Sequence, residues 1–165
     1  ATGEEDSYFA SARGYAITIG MLFAITMFLN VWGVIWRNQK IVIGSAETVA
    51  NGGQANPDAP AAAKKAARAS RANTFMSFTM LWFMVYAPHM ANSQTIDNKA
   101  AVLIFVLLIW AFVEASALGL IGGLDSPFNK LAFDQHRNTI IYGFVLLAVV
   151  YFIGWELLAG VDTIG

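Results

Sequence analysis

The chain has 165 residues, 57% hydrophobic and 13% charged, with a net charge of −1. Soluble domains carry about 25% charged residues, so the composition points to a membrane protein, and 1–165 reads as a single membrane domain. A near-neutral balance gives no footing for a nucleic-acid partner. The absence of cysteine excludes disulfides, thiolate metal sites, iron–sulfur ligation and covalently attached haem c.

The first element runs from Gly14 to Trp36, 23 residues without a formal charge. At about 1.5 Å per residue it is long enough to cross a hydrocarbon core of roughly 30 Å. It is too long, and its flank of Glu4, Glu5 and Asp6 too acidic, for a cleaved signal peptide. Asn51 to Pro60 follows as an irregular excursion rich in turn formers. Ala61 to Asn73 is strong helix composition and is expected to run straight into the second span. Its bases read as a solvated face, with anionic lipid or an acidic partner as the functional alternative.

Three further apolar runs complete the set, at about 73–91, 100–123 and 139–160. Each reads as a helix, because unpaired backbone groups cannot face lipid. The expected fold is all-α: an integral membrane four-helix bundle, with spans at 14–36, 73–91, 100–123 and 139–160. An amphipathic, basic helical extension precedes span two at the inner surface. Eight of the 10 Lys and Arg residues lie in the two loops joining spans one to two and three to four. The positive-inside rule then puts those loops in the cytoplasm and both termini outside it. Trp32, Trp36, Tyr15, Tyr142, Tyr151 and Trp155 fall near span ends, where aromatic belts are expected.

Polar groups within the spans are the functional candidates. Asn30 and Glu114 both fall roughly 21 to 24 Å from the outer edge by the helical rise, deep enough to hydrogen-bond across a helix interface. Glu114 suits a proton relay, a contact to a partner subunit, or a neutral acid bonded to a neighbouring helix. Glu156, near the end of the last span, reads as a boundary acid. His89 closes span two and His136 opens span four, at opposite membrane faces, so they cannot ligate one iron. His89 alone, or with Met90, is the candidate ligand for a haem b, against a structural role at the interface. Met76, Met80 and Met84 make a stripe that reads as packing, with Cu(I) as the alternative. No catalytic set or metal cluster is legible, and no cofactor is fixed.

The segment Asn30-Val31-Trp32, Ile35 to Lys40, Gly53 to Asp58, Ala66 to Asn73 and the span ending at His89 resembles the later half of the urate oxidase N-terminal membrane domain family. The resemblance covers roughly Phe28 to Asn92. It departs from the family pattern at Arg37, where the family has Pro, and at the additional Asn56. Long members of the family carry about twice as many spans and end in a cytochrome c domain, which implies that this chain lacks the first half and that haem-bearing domain. The resemblance implies the bacterial inner (cytoplasmic) membrane and an association with electron transport. The expected function is therefore a small subunit of a redox or energy-converting membrane complex, with other membrane subunits and lipid as partners. The alternatives are a haem b electron carrier using His89, a component of urate oxidation, and a transporter or channel resting on Glu114.

Overall fold

The structure, a computed structural model, describes residues 11–89 and 96–160, and among these it is helical throughout, without a strand. Ser11 starts α1 (Ala12–Leu29): its hydroxyl accepts from the Gly14 N–H at 3.1 Å, satisfying one of the first turn's free donors. α1 continues through a π-helical segment (Asn30–Ile35) into α2 (Trp36–Ala50), making one helical stretch of 39 residues. The helix therefore does not end with the apolar run at Trp36. Arg37 to Lys40 are polar, but nothing in them breaks a helix. The stop comes at Asn51 and Gly52, where a φ of 81° suits only a residue without a side chain.

After that turn, α3 (Ala59–Tyr86) begins with a proline in its first turn, where the missing N–H costs nothing. It runs unbroken from the basic stretch into the apolar one, then tightens into a 3-10 turn, Ala87–His89, around Pro88. Residues 90 and 91 of the expected second span lie outside the described residues. α4 (Lys99–Ala117) is capped by Asn98, which accepts from the Ala101 N–H at 3.0 Å. It stops well short of Gly123, because Gly119 turns the chain with a φ of 78°. A short helix absent from the sequence reading, α5 (Pro127–Phe133), precedes α6 (His136–Ala148). The latter passes into a second π-helical segment, Val149–Leu158.

Three helical stretches among the described residues are long and apolar enough to cross a membrane: Ala12–Ala50, Lys99–Ala117 and His136–Leu158. α3 is different. Its charges and Asn73 occupy the first half, and only Thr74 to Tyr86 is free of them, shorter than the ~20 residues a span requires. Yet α3 is the central element, packed against α1, α2, α4, α5 and α6. Phe23, Met76, Phe83, Val106, Val150 and Trp155 form the sealed core around it. Trp155 meets Phe83 edge to face at 5.5 Å. Trp155 and Tyr151 thus belong to the interior and not to an aromatic belt, whereas Trp32 and Trp36 are exposed. Small residues set the closest approach: a Cβ on Gly143 of α6 would come within 2.6 Å of the Phe78 ring of α3.

Candidate functional site

The polar groups of the helix interior converge where α1 gives way to the π-helical segment. Asn30, the first residue of that segment, is 3% exposed. Its side-chain amide donates to Asn73 Oδ1 of α3 at 3.0 Å and to Glu114 Oε2 of α4 at 3.1 Å. An asparagine amide has two N–H donors, and both are spent. Asn73 in turn donates to the Met27 carbonyl of α1 at 3.0 Å. One turn away, Trp110 of α4 donates through Nε1 to Thr26 Oγ1 at 2.8 Å, and Thr26 donates to the Leu22 carbonyl at 2.8 Å. Three helices distant in sequence are thereby tied at one level. π-helical turns recur at functional positions, and this one begins at the residue that links the other two.

A second polar assembly lies at the basic end. Arg68 of α3 is 4% exposed, not solvated. Its Nε donates to the Leu124 carbonyl at 3.2 Å, its Nη1 to the Asn129 carbonyl at 3.2 Å, and its Nη2 pairs with Asp134 Oδ1. Arg71 donates to the carbonyls of Phe133 and, at 2.8 Å, Asp134. Lys64 pairs with Asp125 at 2.5 Å, and that hydrogen bond first of all holds the Asp125 carboxyl below its usual range. Asn129 closes the assembly, donating to the carbonyls of Ser116 at 2.7 Å and Gly123 at 3.1 Å. Three of the four bases of the α3 extension, Lys64, Arg68 and Arg71, are thus used to hold the chain's own α4–α6 connection, and Lys65 is exposed.

A family model described as urate oxidase N-terminal matches residues 5–116, more than half of the chain. The chain belongs to the urate oxidase N-terminal family. The match is wider at both ends than the Phe28 to Asn92 segment that carries the resemblance in sequence. It contains Asn30, Asn73 and Glu114, so all three residues of the interior junction lie in the family part of this urate oxidase N-terminal family member. It leaves out α5, α6 and the second π-helical segment, hence half of the Arg68 assembly. No curated protein and no solved structure matches the chain.

The remaining candidates are scattered through this family member. Glu156 is half-buried in the second π-helical segment, remote in sequence and element from Glu114. His89 is exposed in the 3-10 turn after α3. His136 faces Ser70 of α3 across a shared pocket, and about 28 Å of helical rise separates Ser70 from His89. Met76 is fully buried, Met80 half-buried and Met84 exposed, so burial falls steadily along the stripe. Among the described residues, no group of three His, Asp or Glu side chains comes together to hold a metal. Sequence reasoning passed over Asn73, Arg68 and Trp110. Asn73 carried a usable signal, as the amide that interrupts α3 where its apolar half begins.

Proposed function

We propose that this chain is a small integral membrane subunit of a larger redox or energy-converting complex, where it has a structural and assembly role. One observation carries the reading. The Asn30 amide donates to both Asn73 and Glu114, and Asn73 in turn to the Met27 carbonyl, an arrangement suited to fixing helix register. The exposed Phe28, Trp32 and Trp36 follow one another along one helix face in tilted and edge-to-face contact, with ring centroids 6.4 and 6.5 Å apart. Partner helices would use that rigid aromatic face through shape-matched packing. In this reading α3 is a fourth span, made tolerant of polarity by the helices that wrap it. The chain sits in the bacterial inner membrane with its basic end in the cytoplasm and both termini outside.

Native mass spectrometry of the detergent-solubilised particle tests the role: the chain is expected with other membrane subunits in fixed stoichiometry. A monodisperse monomer that turns over substrate alone would overturn it. Because the chain has no cysteine, Lys65→Cys gives a single label for orientation. It should react with an impermeant maleimide only after permeabilisation.

Membership of the urate oxidase N-terminal family favours a second, more specific reading, in which the complex oxidises urate. Membranes from cells with and without the chain would then differ in urate consumption; equal rates would discard this version while leaving the subunit role standing.

A further inference from the structure

We infer that the pocket formed by Ile35, Gln39, Ala67, Ser70, Arg71 and His136 binds the anionic headgroup of a phospholipid. The pocket measures about 240 Å³ and lies where the first helical stretch, α3 and the start of α6 meet. Small side chains on α3 leave the space. Around it stand an amide, a hydroxyl, a guanidinium and an imidazole, and no carboxylate lines it. Those are the donors that phosphate oxygens accept from.

The charge balance points the same way. Among the described residues, the ion pairs of this end are Lys64–Asp125 and Arg68–Asp134. Arg71 bonds only to main-chain carbonyls, which hold its guanidinium in place without neutralising it. Asp134, whose main-chain carbonyl Arg71 holds, has its Oδ1 committed to Arg68. A lipid is favoured over a free ion because the pocket has an apolar side. Ile35 forms one wall, and the adjoining Trp36 is exposed, as an aromatic at the headgroup level would be. A net-negative headgroup is favoured over a zwitterionic one, which would bring an ammonium beside the Arg71 guanidinium.

Lipid retention by the full-length chain, read by native mass spectrometry after reconstitution in equal phosphatidylglycerol and phosphatidylcholine, tests the inference. Phosphatidylglycerol should be retained preferentially. Ala67→Leu fills the pocket and leaves every donor in place, and it should lower that retention about fivefold, the worth of one basic contact to an anionic surface. The double variant Gln39→Leu, His136→Leu should do the same, with circular dichroism confirming that both variants are folded. Equal retention of the two lipids, or retention unchanged by Ala67→Leu, would overturn the inference. Inorganic phosphate broadening in ³¹P NMR without lipid, abolished by Ala67→Leu and accompanied by no lipid preference, would assign the pocket to the free ion instead.

Discussion

Asn30 and Glu114, 84 residues apart in the chain, are joined by a 3.1 Å hydrogen bond between α1's π-helical continuation and α4. The same Asn30 amide reaches Asn73 on α3, so one side chain holds the level of three helices.

Replacing Asn30 with Leu removes both bonds and leaves Asn73 Oδ1 and Glu114 facing an apolar group. A loss of about 1–2 kcal/mol is expected, read as a lower unfolding midpoint in detergent. Glu114→Gln keeps an acceptor for the Asn30 amide and should unfold near the parent; Glu114→Leu should resemble Asn30→Leu. Identical midpoints for Asn30→Leu and the parent would mean the junction carries no stability.

Arg68 supplies a second test. Met has a comparable stem without the guanidinium, so Arg68→Met strands the Leu124 and Asn129 carbonyls. The cost should be about 2–4 kcal/mol, with faster proteolysis between Ala117 and Pro127. Arg68→Lys should recover little, since one ammonium cannot span three acceptors placed for a planar fork. Unaltered proteolysis in Arg68→Met would show that the connection is held by other contacts.

The Lys64–Asp125 pair predicts a pH effect of definite sign. The hydrogen bond from Lys64 depresses the folded-state pKa of Asp125 below its ordinary 3.8. Its stabilising contribution is therefore present above that ordinary value and disappears as pH falls through the lower folded one. In a carboxyl ¹³C titration, Asp125 should titrate below 3.8 in the parent, and Lys64→Ala should move it upward. A midpoint indifferent to Lys64 would contradict the pairing.

Two glycines separate close packing from helix propensity. A Cβ at Gly143 would meet the Phe78 ring at 2.6 Å and the Phe75 carbonyl at 3.0 Å, whereas one at Gly44 in α2 would meet nothing within 4 Å. Gly143→Ala should destabilise by about 1–3 kcal/mol through overpacking. Gly44→Ala should stabilise by about 0.5–1 kcal/mol, because alanine loses less freedom in a helix. Effects of the same sign would refute the close approach of α6 to α3.

Hydropathy made the membrane character and the helical class readable, and the Asn30 to Lys40 and Gly53 to Asp58 motifs carried the family. Helix ends were less legible. The change from apolar to polar at Trp36 marks where a span would leave lipid, but a helix ends where backbone chemistry stops it, at Gly52. α5 was hidden for the opposite reason: seven residues are too few for an apolar period to stand out, and Ser126 and Pro127 alone announced its start.

The sequence by itself determined the solvent of this protein, because uncharged runs of this length are stable in hydrocarbon whatever surrounds them. It also determined that the backbone is helical, since no other open structure satisfies its own hydrogen bonds in lipid. Only the tertiary structure decided which polar groups meet. Arg68 looks like any solvated base in an alanine-rich helix until the α4–α6 connection folds over it. Asn30, Asn73 and Glu114 become one junction only through the rotation of three helices about their axes. That rotation depends on packing among elements brought together from across the chain, Phe23 and Met76 beside the junction with Gly143 and Trp155 far from it in sequence, and no local pattern encodes it.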